Sequence, residues 1–359
     1  MKIGARIFKT GIAIVLALGL AQLLHFPSPA FAGIAAIFAI QPTIYRSYRT
    51  IIEQLQGNII GAAIAIGFVL LFGNHVIFVG MAAVIVIIIN VKLKTENTIS
   101  LSIVTVIAIM ENQTGNFLDF AFVRFFTVML GIFSAFVVNL LFIPPKYETK
   151  LYYQISNVAE EIYKWIRIST SHVSEPIHIK SEIQATKEQL IKVEQLYLMY
   201  KEDREIFKKA SLAKSRKLVV YRQMMITTRK ALDILNKLNK YENQFHHMPE
   251  SFQSAIQQQV EYLITQHQQV QLKYIRKIKS SYEFEKEQGL SHQELLLLFL
   301  SLQKEVQDEN EQDIYHMMAL TSAMIEYEEH IEHLDTLISS FQTFHKDDDE
   351  LKIDTKMED

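Results

Sequence analysis

Two kinds of hydrophobic pattern follow one another along the chain. Toward the N-terminus, four windows contain no Lys, Arg, Asp or Glu: 10–45, 54–91, 97–110 and 125–145. A membrane-spanning helix needs roughly 17–25 mostly apolar residues. The first two windows are long enough for two such helices each, and turn-forming residues interrupt both near the middle. The pattern therefore predicts six spans, at about 5–24, 28–44, 55–72, 75–91, 97–111 and 120–143.

The fifth predicted span is short. Its charge-free window holds 14 residues. As a helix these reach only about 21 Å, which is less than a hydrocarbon core of about 30 Å. We interpret the segment either as a full crossing, which the charge pattern below favours, or as a re-entrant or tilted segment.

Beyond residue 145 the pattern changes to apolar residues spaced three or four apart, which is typical of amphipathic helices and coiled coils. Similar stripes cover 218–235 and 256–274. The most regular stripe consists of Met317, Leu320, Met324, Tyr327, Ile331, Leu334, Ile338 and Phe341. Breaks are expected near 169–181, 245–250 and 286–291.

One predicted helix in this half is unusually apolar. Ser291 and Glu294 have the spacing of a capping box, which marks a helix start, and the run Leu295–Leu300 follows directly. A single amphipathic face does not need so many consecutive apolar residues. We expect this run either to be buried centrally or to dock on the membrane domain.

These patterns predict an all-α protein made of a polytopic membrane domain and a cytoplasmic long-helix bundle. The expected divisions are a transmembrane domain of about six helices over 1–145, a helical domain over 146–345 and a disordered acidic tail over 346–359.

The distribution of charge supports this division. Residues 1–143 hold eight basic and four acidic side chains, whereas the remainder holds 28 basic and 35 acidic ones. A single soluble core does not divide its charges in this way. The net charge of −3 excludes nucleic-acid binding through bulk charge. The absence of cysteine excludes disulfides, thiolate metal sites and a Cys nucleophile.

Among the loops of the six-span arrangement, only alternate ones contain basic residues, namely Lys2, Arg6, Lys9, Arg46, Arg49, Lys92, Lys94, Lys146 and Lys150. The positive-inside rule then places both termini in the cytoplasm of a multi-pass plasma-membrane protein. An alternative is that the basic N-terminus and the following apolar run form a secretory signal ending at Ala30-Phe31-Ala32. The apolar run continues to Ile40, which favours a second span.

Small residues repeat every four positions in two of the spans, at Ala13, Ala17 and Ala21 and at Gly57, Gly61 and Ala65. Such stripes let helix backbones approach closely in lipid. They predict packing within one chain or, alternatively, dimerisation.

Polar residues inside the spans are the candidate functional groups. Arg124 lies one and a half turns into the sixth span, where a guanidinium could bind a carboxylate bidentately or extend to the outer headgroups. Asn58 and Asn139 are candidates for lining a path or for joining helices. Glu111 and Asp119 could carry protons, or could be solvated loop carboxylates.

The soluble half shows no catalytic pattern. It has no phosphate-binding G-x-x-x-x-G-K-[ST] loop, no G-x-G-x-x-G and no serine nucleophile elbow. His330 and His333 lie among glutamates, but a di-iron bundle would need Glu-x-x-His pairs on two helices. His267 falls on an apolar stripe and is interpreted as a core residue. We therefore expect no enzyme activity, no metal and no cofactor.

Two segments resemble the aromatic acid exporter family, within the fusaric acid resistance group. One is Gln41-Pro42-Thr43-Ile44-Tyr45-Arg46-Ser47-Tyr48-Arg49 followed by Gln56-Gly57-Asn58-Ile59-Ile60-Gly61-Ala62; the other is Arg124-Phe125-Phe126 with Gly131, Asn139 and Pro144-Pro145. The whole chain resembles the Gram-positive branch, which has six spans and a cytoplasmic helical domain. Gln56 and Asn58 depart from the family pattern, which often has Arg and Thr there.

The resemblance implies proton-driven efflux of small aromatic carboxylic acids across a lipid bilayer. Arg124, Asn58 and Asn139 are then the expected substrate contacts, and Asp119 or Glu111 the proton-coupling group. Six spans are few for a complete path, so we expect a homo-oligomer, preferably a dimer. The alternative is a membrane-anchored scaffold or sensor in which the helical half performs the function.

Overall fold

The structure is a computed structural model of the chain. It describes residues 5–41, 44–73, 75–111, 117–141, 147–171, 176–203, 212–279, 289–305 and 311–344. These residues form helices and their connections, with no strand among them. The all-α prediction is therefore confirmed for the described part of the chain. Contacts divide the chain into two compact units, Met1–Pro145 and Lys146–Asp359, called here the N-terminal and C-terminal units.

The N-terminal unit contains a helix in each of the six apolar segments. They are α1 (Ala5–Leu23), α2 (Ala30–Ala39), α3 (Ile44–Phe72), α4 (Val76–Lys92), α5 (Ile99–Glu111), which a 3-10 turn (Glu96–Thr98) precedes, and α6 (Phe117–Leu141). Within the described residues, two helices are long and apolar enough to cross a membrane, Arg46–Phe72 and Asp119–Leu141. The helix α2, with 10 residues, extends only about 15 Å.

Helix α3 is longer than predicted. The prediction began it at about residue 55, after the last charged side chain, but the helix begins at Ile44. Arg49 and Glu53, one turn apart in this extension, form an ion pair. Such i,i+4 pairs stabilise a helix, and charge alone is therefore a poor marker of where this helix starts.

Both small-residue stripes pack within the chain. Ala13, Ala17 and Ala21 of α1 are fully buried in a cluster with the alanines of α2 and apolar residues of α6. A Cβ added at Gly61 of α3 would lie 2.8 Å from the backbone oxygen of Ser102 in α5. The stripes thus provide close helix contacts inside one chain, as the first of the two interpretations predicted.

The C-terminal unit is a bundle of long helices. They are α7 (Tyr147–Thr170), α8 (Pro176–Asp203), α9 (Leu212–Lys240), α10 (Glu242–His246), α11 (Glu250–Tyr274), α12 (His292–Glu305) and α13 (Glu311–Phe344). All eight residues of the predicted α13 stripe are buried in one core with apolar residues of α7, α8, α9 and α11. Helical periodicity had therefore identified the core face.

The capping box at the start of α12 is confirmed. The Ser291 backbone N–H donates to Glu294 Oε2 over 2.7 Å, and the Glu294 N–H donates to Ser291 Oγ over 3.3 Å. The expectation that Leu295–Leu300 is buried centrally was wrong. Leu295 is buried in its unit, but Leu296, Leu297 and Leu300 are exposed, because α12 packs through one side only. The predicted acidic tail lies outside the described residues.

Candidate functional site

Arg124 of α6 is a buried cation in the apolar N-terminal unit. The residue is only 3% exposed, and its Cζ atom lies 3.1 Å from the ring centroid of Phe31 in α2. Nε and Nη1 have no hydrogen-bond partner in the described part of the chain. The sequence left two interpretations of Arg124, a carboxylate-binding group or a side chain that extends to the outer headgroups. The burial of Arg124 does not fit the second interpretation.

An unpaired buried guanidinium is costly, because burial removes its hydration. The Phe31 ring compensates part of this cost, since a cation over an aromatic face gains up to about 2 kcal/mol when desolvated. The two unpaired donor atoms, Nε and Nη1, retain their capacity to bind an acceptor. A carboxylate is the ligand that a guanidinium binds most specifically, because two parallel hydrogen bonds can form.

Helix packing places Phe31 at Arg124. Ala32, next to Phe31, lies against Gly131 of α6, where an added Cβ would collide with the Ala32 backbone oxygen. Only glycine permits this approach, which brings the start of α2 close to the middle of α6. Phe31 was not identified from the sequence, because no local pattern links it to a residue more than 90 positions away.

Asn58 lies in a polar seam between α3 and α5. Thr105 Oγ1 donates to Asn58 Oδ1 over 2.9 Å, and Asn58 is fully buried. Its Nδ2 group has no partner among the residues that the structure describes. The side chain joins the two helices and retains one unused donor.

Asn139 lies at the other end of α6 from Arg124. Lys9 Nζ of α1 donates to Asn139 Oδ1 over 3.3 Å, and both residues are buried. Fifteen residues of helix separate Asn139 from Arg124, which corresponds to about 22 Å. Arg124 and Asn139, two of the expected substrate contacts, therefore do not form one compact site.

The carboxylates of this unit differ in burial. Glu111 and Asp119, the proton-coupling candidates, are both exposed. Glu53 of α3 is 8% exposed, and it accepts a 2.6 Å hydrogen bond from Arg49 Nε. Glu53 was not identified as a candidate from the sequence. Its position directly before the charge-free window 54–91 could have indicated a carboxylate at the edge of a span.

The family-signature residues lie in or near α3 and in the segment after α6. Gly57 and Gly61 are buried against the 3-10 turn and α5, where Thr98 and Ser102 contact Gly57 and Ser102 contacts Gly61. Arg49 is exposed, and Gln41 and Arg46 are partly exposed. Pro42, Pro144 and Pro145 lie outside the described residues.

Asn90 belongs to a local network that has a structural role. Its Oδ1 accepts hydrogen bonds from Thr95 Oγ1 over 3.0 Å and Thr98 Oγ1 over 3.2 Å, while its Nδ2 donates to the Val86 carbonyl over 2.8 Å. The network fixes the turn between α4 and α5, because every polar group of the asparagine side chain is engaged there.

The C-terminal unit shows no metal site in its described residues, where no three His, Asp or Glu side chains are grouped suitably. His267 is a core residue, as predicted. Its Nδ1 lies 2.8 Å from the Tyr327 hydroxyl, and its Nε2 lies 3.2 Å from Gln271 Nε2. Burial lowers the His267 pKa to about 3, so the ring is neutral at physiological pH.

Comparison with known proteins identifies the family. Residues 1–142 match the profile of aromatic acid exporter family member 1. UPF0421 protein YgaE of Bacillus subtilis is 50% identical over 353 residues, which cover 98% of this chain and 99% of that protein. UPF0421 protein OB2406 of Oceanobacillus iheyensis is 33% identical over 165 residues, 46% of this chain and 47% of the relative. A UPF0421 protein of Staphylococcus epidermidis is 29% identical over 163 residues, 45% of this chain and 49% of that protein. The chain belongs to the UPF0421 family, and its residues 1–142 belong to the aromatic acid exporter family.

Proposed function

We propose that the protein is a proton-driven secondary exporter of small aromatic carboxylic acids. Membership of a transporter family supports a transport role over an enzymatic one. The observation that carries the choice of solute is Arg124, which is buried against Phe31 with two unused N–H donors. A guanidinium recognises the carboxylate and an aromatic ring can receive the aromatic part of the solute.

The same proposal covers topology and assembly. The six helices of the N-terminal unit cross the plasma membrane, and both termini are cytoplasmic. The nine basic residues that the six-span arrangement places on one side of the membrane support this orientation. Two chains form the transporter, because the six crossings of one chain enclose little space for a solute path. Asn58 and Asn139 contact the solute at other points along that path.

The test is accumulation of a radiolabelled hydroxybenzoate in cells that overproduce the protein, with and without a protonophore. We expect lower accumulation, and the protonophore should abolish the difference. Arg124→Gln should lose at least ten-fold of the efflux rate. Arg124→Lys should lose less, because the charge remains but the bidentate geometry does not.

A matched control is Arg222→Gln, which removes an exposed arginine of the C-terminal unit and should transport normally. Full efflux by Arg124→Gln, with normal amounts of protein in the membrane, would refute the anion site. If the wild-type protein lowers the accumulation of no aromatic acid in a panel, the transport proposal itself fails, and the scaffold or sensor alternative takes its place.

A further inference from the structure

The membrane half contains one carboxylate that is shielded from water. Residues 1–143 carry four acidic side chains, at Glu53, Glu96, Glu111 and Asp119. Three are exposed, whereas Glu53 is 8% exposed. An exposed carboxylate exchanges its proton with water in every state of a transport cycle. A shielded one can hold a proton in one state and release it in another.

Glu53 is paired with an arginine that reaches water. Arg49 Nε lies 2.6 Å from Glu53 Oε1, and the side chains are 64% and 11% exposed, respectively. Arg46 lies two turns before Glu53, on the same side of α3 by helical periodicity. Among the described residues, the ion-pair partner of Glu53 is therefore a side chain that remains accessible from the aqueous edge.

The position along α3 places this pair at the edge of the proposed span. Nineteen residues separate Glu53 from Phe72 at the helix end, which corresponds to about 28 Å. A hydrocarbon core is about 30 Å thick. With Phe72 at the outer side, Glu53 lies at the cytoplasmic boundary, where a proton can be released into the cell.

Few other charges lie on the elements that pack against α3. Helix α2 has none, and the others carry Lys92, Glu96, Glu111, Asp119 and Arg124. All of these except Arg124 are exposed, and Arg124 lies against the Phe31 ring of α2. Among the charged groups of the described residues, Arg49 is therefore the one that contacts Glu53.

We propose that Glu53 is the proton-coupling carboxylate of the exporter. This inference rests on the proposed function. In one state of the cycle, Glu53 holds a proton that has come from the outer side along the solute path, which forms a carboxyl O–H and releases Arg49. In the other state, the O–H bond breaks toward cytoplasmic water and the ion pair with Arg49 forms again. One proton moves inward in each cycle and no other bond changes.

The experiment uses the full-length protein in proteoliposomes, with labelled 4-hydroxybenzoate as the probe. It measures accumulation driven by an imposed proton gradient, and counterflow exchange without a gradient. Wild-type protein should show both. Glu53→Gln should lose gradient-driven accumulation at least ten-fold while counterflow persists and no longer varies with pH. Glu53→Asp should recover part of the gradient-driven accumulation, because it retains a carboxylate.

Matched variants separate coupling from other roles. Glu96→Gln removes an exposed carboxylate of the same unit and should retain both activities. The exchange variant Arg49→Glu with Glu53→Arg restores an ion pair, but its carboxylate is then at the exposed position. It should fold and still lack gradient-driven accumulation.

The outcomes are distinguishable. If the wild-type protein shows neither activity, the proposed function fails. If the wild-type protein shows both activities and Glu53→Gln retains accumulation driven by the proton gradient, the assignment of Glu53 is overturned. The assignment is also overturned if a correctly folded Glu53→Gln protein loses both activities, or if the exchange variant recovers accumulation. It is overturned as well if coupling is lost on neutralising Glu111 or Asp119 instead.

Discussion

The guanidinium carbon of Arg124 lies 3.1 Å from the centre of the Phe31 ring, although the two residues are on different helices and 93 positions apart in the chain. This contact joins a cation, a ring and two unused donors in one place.

Phe31→Leu should raise the KM for the aromatic acid roughly 3- to 30-fold, because the cation–π interaction that positions Arg124 is worth up to about 2 kcal/mol in a desolvated site. Initial efflux rates at varied internal solute concentrations measure this. Phe122→Leu alters an exposed phenylalanine of α6 and should have no effect. An unchanged KM in Phe31→Leu would show that the ring does not position the arginine.

Gly61→Ala should destabilise the N-terminal unit by about 1–3 kcal/mol, since the new methyl group would meet backbone that cannot rotate away. Its Cβ would lie 2.8 Å from the Ser102 carbonyl oxygen. Gly67→Ala is the matched control, because nothing lies within 4 Å of its added Cβ. The temperature at which detergent-solubilised protein loses its monodisperse chromatographic peak compares the two. Equal stability would contradict the close α3–α5 approach.

The absence of cysteine allows a direct test of topology. Single cysteines at His25 and His75, which are exposed ends of helical segments, should react with a membrane-impermeant maleimide in intact cells. A cysteine at Lys94, also exposed, should react only after the cells are opened. Labelling of position 94 from outside, or protection of position 25, would refute the six-span arrangement.

His267 should make the stability of the C-terminal unit depend on pH. Its folded-state pKa is lowered to about 3 by burial, whereas the unfolded value is about 6.5. Below about pH 6.5 the unfolded chain binds a proton that the folded ring does not bind, so stability falls as the pH decreases through that range. One unit below the unfolded pKa the loss is about 1.4 kcal/mol.

The measurement is the unfolding midpoint of the full-length protein between pH 5 and pH 8, compared with that of His267→Gln. The variant should be less stable at pH 8 but should lose less stability on acidification. Parallel curves for the two proteins would show that His267 does not account for the pH dependence.

Lys217 and Glu148 should contribute more to stability than a comparable surface pair. Lys217 Nζ lies 2.9 Å from Glu148 Oε1, and the side chains are 2% and 25% exposed. Glu148→Gln would leave the lysine charge buried and unpaired, which should cost about 2 kcal/mol after allowance for the partly exposed carboxylate. That corresponds to about 4–8 °C in the unfolding midpoint of a unit of this size.

Arg167→Ala is the control for this comparison. It removes a bidentate pair with Glu261, whose side chains are 45% and 49% exposed. A pair so exposed contributes only up to about 1 kcal/mol. If Arg167→Ala shifted the midpoint as much as Glu148→Gln, burial would not be the reason for the difference.

Local sequence patterns predicted much of the helical structure. The stripe from Met317 to Phe341 identified the buried face of α13, because residues three and four apart share one side of a helix. Ser291 and Glu294 identified the start of α12, because capping depends only on neighbouring residues. Charge content placed the start of α3 too late, and the apolar run of α12 was only partly buried, because these features depend on packing partners.

Local sequence patterns identified only part of the candidate site. Arg124 was identified because it is a charge within a long apolar segment, which is a property of local sequence. Phe31 and Glu53 were not, since their roles depend on which helices approach α6 and α3.

The amino-acid sequence by itself determined the helical character of the chain, its division into an apolar and a charged half, and the family to which it belongs. These follow from composition, spacing and local motifs. Only the tertiary structure decided that Arg124 faces Phe31, that Glu53 is shielded while Glu111 and Asp119 are not, and that Leu296 and Leu297 remain exposed. Burial and pairing arise from contacts between distant segments, and no local pattern specifies them.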